Sequence, residues 1–188
     1  VMAIFMSCAK KESSGVDGGK KKYIVATDTS FPPFEFKDSN NEYVGIDIDL
    51  VKKIAELEGF EVEFRPMDFG GIIPALQSGQ VDAAIAGASI TEERKQTVDF
   101  SEPYYETGVI EVVKDDNNSI KTIDDLAGKK IAVKNGTEGA KLAEDALKGK
   151  SNISVFEDSV SMYKAVENGQ ADAAFEDLPV AGYTIKIT

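Results

Sequence analysis

Apolar positions along the chain change period several times, and each change marks an element. Tyr23 to Ala26 is a short apolar, β-branched run of strand type. Asp28 to Phe36 follows with a Pro32-Pro33 break, and Tyr43 to Gly45 reads as a short extended piece. Over Asp47 to Leu57 the residues Leu50, Val51, Ile54 and Leu57 fall on one face of a helix, which Gly59 stops. Glu61 to Met67 alternates as a strand does, Ile72 to Ser78 reads as a second helix, and Ala83 to Ala86 as a buried strand. Strands alternating with helices imply a mostly parallel sheet covered on both faces.

The pattern then repeats. Gly108 to Val113 is an apolar strand able to cross between two halves, and Thr122 to Leu126 a capped helical turn. Lys130 to Val133, Ile153 to Phe156 and Ala173 to Phe175 read as strands. Glu138 to Leu147, Ser159 to Glu167 and Leu178 to Lys186 read as helices. A-L-Q-S-G-Q-V-D-A-A-I from Ala75 and A-V-E-N-G-Q-A-D-A-A-F from Ala165 share Ala, Gly-Gln and Asp-Ala-Ala at matching positions. Each closes a helix at Gly and enters a small-residue strand after Asp, which points to two similar α/β lobes. Ligands of open α/β sheets sit at the carboxyl ends of strands. Those ends are Gly87 to Ser89 and Glu176-Asp177, and lobes that face each other aim both into one cleft.

Composition removes most other chemistry. The 188 residues are 42% hydrophobic and 29% charged, ordinary for a globular chain. The formal net charge of -12 disfavours phosphate backbones, so no nucleic-acid partner is expected. Histidine is absent and Cys8 is the one cysteine, which rules out Ser-His and Cys-His pairs and imidazole or thiolate metal sites. No calcium-loop spacing of acids is present, so neither metal nor cofactor is expected. No apolar run reaches the length of a membrane-spanning helix.

Val1 to Met6 is almost wholly apolar, and Phe5-Met6-Ser7-Cys8 resembles a bacterial lipobox with a small residue before an acylated cysteine. Lipidation at Cys8 and a flexible tether over Ala9 to Lys22 are therefore expected, against the alternative of a disordered terminus with a free thiol. An opening at Val1 suggests that an upstream part is missing.

A free amino acid needs a planar cation and N–H donors for its carboxylate, and a carboxylate for its ammonium. Arg94, just beyond the first strand end, carries a fork suited to a carboxylate. Ser89 and the Gly87 amide can add donors, and Asp177 can hold the ammonium. Each has another reading: Arg94 lies in the charged run 92–95, and Asp177 can cap a helix at Leu178. Phe31 and Phe69 can be core residues.

Tyr23 to Lys186 resembles the solute-binding proteins of polar amino-acid ABC importers, solute-binding protein family 3, and above all its glutamine binders. The motifs are A-T-D-T-S-F-P-P-F-E-F from Ala26, V-G-I-D-I-D-L from Val44 and M-D-F-G-G-I-I-P-A-L-Q from Met67. To these add A-G-A-S-I-T-E-E-R-K from Ala86, F-S-E-P-Y-Y from Phe100 and V-K-N-G-T from Val133, all in family order. The resemblance implies a two-lobed periplasmic-binding-protein fold of type II that closes on its ligand. Residues 23–107 would form the first lobe, 108–113 a hinge strand and 114–188 the second lobe. It implies pocket aromatics at Phe31 and Phe69, and an acid at Asp28 near the distal end of the ligand side chain. It further implies contacts from Gly87 and Ser89, a carboxylate-binding Arg94, a second carboxylate contact at Thr137 and an ammonium-binding Asp177. Lys134 matches a lysine of the glutamine binders able to pair with Asp28 across the cleft.

The sequence departs from the family pattern at Glu176, where the glutamine binder has a neutral or weakly basic residue. It also stops at Thr188, several dozen residues before family members end, so a truncated second lobe is expected. Pocket acids Asp28, Glu176 and Asp177 outnumber the bases Arg94 and Lys134, which favours a cationic ligand. A Lys134–Asp28 pair opposes that and favours glutamine, with arginine or lysine next and glutamate or asparagine behind. The expectation is a monomeric, lipid-anchored, extracytoplasmic receptor that hands its amino acid to an ABC permease. Two rivals share the fold. A dehydratase would have Glu176 as its sole general acid, and a sensor domain would need a fused membrane segment.

Overall fold

A computed structural model describes residues 20–187. Cys8, the lipobox and most of the expected tether lie outside them. The chain builds two parallel-based sheets, one from each half, in an α/β architecture of two lobes.

In the first half, β1 (Lys22–Thr27) lies between β4 (Glu61–Pro66) and β5 (Ala83–Ala84), parallel to both. A small antiparallel pair, β2 (Phe36–Lys37) and β3 (Tyr43–Val44), precedes helix α1 (Ile46–Glu58). Helix α2 (Phe69–Gln77) starts earlier than its apolar periodicity suggests, with Gly70 and Gly71 in the first turn. There the amide groups need no intrahelical partner and glycine costs little. Ile72 and Ala75 of α2 pack on Ala26 of β1, with Val81 and Ala86 closing the cluster.

The first half departs from its sequence pattern in two places. The stripe Leu50, Val51, Ile54 and Leu57 of α1 is not its buried face: Leu57 is 70% exposed and Ile54 43%. The inward positions are Asp47, Ile48 and Ala55. Strand β5 is not a buried strand of four but two residues at the sheet edge, with Ala83 exposed. It pairs only with β1, so nothing in the described residues covers its outer side.

In the second half, β6 (Val109–Val112), β9 (Ala173–Asp177), β7 (Lys130–Lys134) and β8 (Asn152–Phe156) lie side by side in that order. β6 runs antiparallel to β9, and the other pairs are parallel. The Gly108 to Val113 run thus supplies four residues of this sheet, and the segment 98–108 ahead of it carries the chain across. Helix α3 (Glu138–Leu147) covers one face, where Ile131, Val133, Ala173 and Phe175 meet Ala143 and Leu147. Helix α4 (Ser159–Glu167) covers the other, where Ala132 and Ala174 meet Met162, Ala165 and Val166. The alternation of strand side chains between faces accounts for both cores. Helix α5 (Leu178–Ile187) follows β9 directly.

Candidate functional site

Apart from Phe31, which lies in the loop between β1 and β2, the expected ligand-binding residues sit at, or a few residues beyond, element ends. Asp28 follows β1, Gly87 and Ser89 follow β5, Lys134 ends β7, and Glu176 and Asp177 end β9. Phe69 opens α2, Arg94 opens a 3-10 turn (Arg94–Gln96), and Thr137 caps α3. Helix ends and strand ends are where backbone groups are left free for other partners.

Phe31, Phe69, Gly87, Ser89, Arg94, Lys134, Thr137 and Asp177 line one narrow gap between the halves, together with Glu138. Glu138 escaped the sequence reading, although its place one residue after the capping Thr137 turns it toward the same gap. Asp28 and Glu176 stand behind this lining rather than in it.

Lys134 reaches across the gap to the Asp28 carboxylate, and both side chains are almost wholly buried. The ammonium also lies 4.7 Å from the centre of the Phe31 ring and 5.8 Å from that of Phe69. Two aromatic faces and one carboxylate compensate a cation that has lost its water. Arg94 donates to the Ser89 carbonyl at 2.7 Å and, across the gap, to the Gly136 carbonyl at 2.9 Å. Its guanidinium stacks over Phe69 at 5.4 Å and stands 3.7 Å from Glu138. A guanidinium has five donors, so two such bonds leave others for a carboxylate. Thr137 Oγ1 accepts the Ala140 amide at 3.1 Å and donates to the Lys134 carbonyl at 2.8 Å, which fixes the α3 cap against β7.

Burial pushes Glu176 up to about 7; the Asp177 amide it accepts and the Lys134 charge restrain the rise. Burial likewise raises Asp177, with Lys134 and Arg94 opposing. Lys134 reaches both acids from the neighbouring strand of their own sheet, and Arg94 reaches Asp177 from the other half.

Gly87 has φ +55, and a Cβ there would sit 2.7 Å from the Phe31 ring. Only glycine allows this turn and the aromatic wall beside it. A second close approach joins the halves directly. A Cβ on Gly136 would lie 3.2 Å from Gly70 Cα, and one on Gly70 2.9 Å from Asn135 Nδ2.

Two α/β lobes with polar groups converging from strand ends on an interlobe gap define a ligand-binding protein of the two-lobed type. Residues 23–174 match the bacterial extracellular solute-binding proteins, family 3, and the chain belongs to that family. It is 34% identical over 186 residues to the arginine-binding extracellular protein ArtP of Bacillus subtilis (strain 168), covering 95% of this chain and 70% of that protein. Among solved structures it resembles an ancestral arginine-binding protein bound to glutamine, at 46% identity and a TM-score of 0.85 over 89% of this chain and 74% of that one. The same ancestral type bound to arginine matches at 47% identity and a TM-score of 0.83, with the same coverage. An ancestral amino acid-binding protein, a precursor of cyclohexadienyl dehydratase, matches at 44% identity and a TM-score of 0.85 over 88% of this chain and 74% of that one.

Proposed function

We propose that the chain captures a polar amino acid in the interlobe gap, with L-glutamine first, and delivers it to an ABC importer by lobe closure. The observation that carries this reading is the buried Lys134–Asp28 pair between the two phenylalanine rings. An amino acid held at its backbone by Arg94 and Asp177 points its side chain toward that pair. A neutral amide can donate to Asp28 and accept from Lys134, whereas a guanidinium meets the ammonium as a like charge. The free donors of Arg94, with Ser89, take the ligand carboxylate, and Asp177 takes its ammonium. The Gly87 amide is held by Asp47 and the Thr137 hydroxyl by the Lys134 carbonyl, so these two shape the site rather than donate to the ligand. Closure follows because a ligand touching both lobes stabilises the closed form.

Arginine is the second reading, favoured by the excess of site acids over site bases and by the arginine-binding relative ArtP. Turnover is not part of the proposal. Glu176 is the sole candidate general acid, and one of its oxygens is engaged by the Asp177 amide. The receptor works outside the cytoplasm, tethered through Cys8, and lipid-modified Cys8 in the membrane fraction by mass spectrometry is the check on the tether.

Calorimetric titration of protein stripped of ligand by partial unfolding tests the ligand. Glutamine should bind with a dissociation constant on the order of micromolar, roughly −8 kcal/mol. Lys134→Met should shift preference toward arginine. Arginine binding tenfold tighter than glutamine in the wild type would sink the glutamine assignment.

A further inference from the structure

Two buried acids of the first half take no part in this binding scheme. Asp47, in the first turn of α1, is fully buried. Its Oδ2 accepts the Gly87 amide at 2.8 Å, and its two oxygens accept the Tyr104 hydroxyl at 2.9 and 3.0 Å. Three segments therefore meet on one carboxylate: the start of α1, the turn after β5, and the segment that crosses between the halves. Glu35 lies behind it, fully buried, and no donor reaches either of its oxygens. Burial, with the charges of Asp47 and Asp28 nearby, pushes Glu35 up to about 10 against the pull of Lys134. It is therefore a neutral acid at physiological pH, and its proton can satisfy both carboxyls by bonding to Asp47.

The same neighbourhood reaches the gap through its rings. Tyr105 packs edge-on against Phe34 at 5.1 Å, and Phe34 stacks on Phe31 at 5.8 Å. Gly87 is thus held from two sides, by the Phe31 ring and by the Asp47 bond.

We propose that Asp47 and Tyr104 form a clasp that fixes the Gly87 turn, and with it the Phe31 ring and Ser89, in place for the ligand and ties that turn to the crossing segment. Both are positioning residues, and neither touches the ligand. The clasp couples occupancy of the gap to the strand of chain about which the halves move. The proposal rests on the reading of the gap as an amino-acid site.

Tyr104→Phe keeps the ring and removes the hydroxyl. The test combines calorimetry with glutamine and with arginine at 25 °C, thermal unfolding, and amide exchange at Gly87 by NMR, all on the full chain. The variant should bind the preferred amino acid roughly tenfold more weakly, the loss expected for one displaced charge-assisted contact. Gly87 exchange should quicken about tenfold while Val25 and Ala26 amides keep their rates, a local change that general destabilisation does not produce. An unchanged dissociation constant with unchanged Gly87 exchange overturns the clasp. Should the variant fail to fold, the wild type decides: a slowly exchanging Gly87 amide supports the clasp, and a fast one overturns it. A wild type that binds neither amino acid defeats the functional reading, and the Gly87 exchange comparison still judges the clasp.

Discussion

Each half of the molecule ends a helix in the same turn, and the two turns lead to different strands. After α2, Gly79 has φ +70, the Asp82 amide donates to the Ile24 carbonyl at 2.8 Å, and the Asp82 carboxylate accepts the Ile24 amide at 2.8 Å. After α4, Gly169 has φ +70, the Asp172 amide donates to the Lys130 carbonyl at 2.7 Å, and the Asp172 carboxylate accepts the Lys130 amide at 2.8 Å. The strands that follow are β5, two residues long with Ala83 exposed, and β9, five residues long with Ala173 and Ala174 fully buried. β9 has β6 and β7 on its two sides, while β5 has β1 alone. The Gly-Gln-x-Asp turn therefore sets where a strand begins and which neighbour it takes. Length and burial come from what lies on the other side.

The largest test of that contrast is core truncation in the better-covered half. Phe175→Ala should cost about 3–5 kcal/mol in denaturant unfolding, because its ring is buried against α3. A cost below about 1 kcal/mol would mean that the second half is not the better-packed one.

The buried glutamates give the next effect. Glu35 rises to about 10 with no donor and two acidic neighbours, Asp47 and Asp28, whereas Glu176 rises only to about 7 with an amide and Lys134 beside it. A carboxyl raised in the folded state contributes stability below its unfolded value near 4.3, and that contribution is lost as pH climbs toward the folded value. Glu35→Gln should therefore raise the melting temperature over wild type by a margin that grows steadily from pH 5 to pH 9. The margin for Glu176→Gln should stop growing above about pH 7 to 8. Parallel curves would erase the difference between the two acids.

Smaller still are the turn latches. Asp82→Ala and Asp172→Ala should each cost about 1 kcal/mol, the loss of one backbone-to-carboxylate bond. Costs differing more than about threefold would show that the shared turn does unequal work in its two settings. Smallest of all, Leu57→Ala should change stability by less than about 0.5 kcal/mol despite removing a leucine from a helix, because that side chain is 70% exposed. A cost of 2 kcal/mol would reveal that the outer face of α1 is covered in solution.

The sequence was most legible where local signals were complete. α3 and α4 fall on their expected residues because Thr137 and Asp158 accept amides in their first turns and because apolar period and cap agree. The convergence of eight expected residues on one gap followed from strand ends, which topology orients, and from family motifs. What stayed hidden was polar burial. Nothing in the sequence marks Asp47 and Glu35 as buried, since a carboxyl carries no sign that it will meet an amide, a hydroxyl or a shared proton inside. The apolar stripe of α1 therefore does not show which side turns inward: Asp47 belongs to the buried face with Ile48 and Ala55, and Leu57 does not. Likewise the alanines of β5 and β9 have the same sequence and different exposure, because no local pattern encodes a missing or present neighbour.

The contact of Gly136 with Gly70 has a mechanical meaning. Main chain against main chain is an end-stop that no rotamer can soften, unlike a stop made of side chains. In the proposed closure, a receptor that halts there would reach one fixed angle whichever cargo it carries. The docking face it offers would then report that something is inside without reporting what, leaving discrimination wholly to the gap.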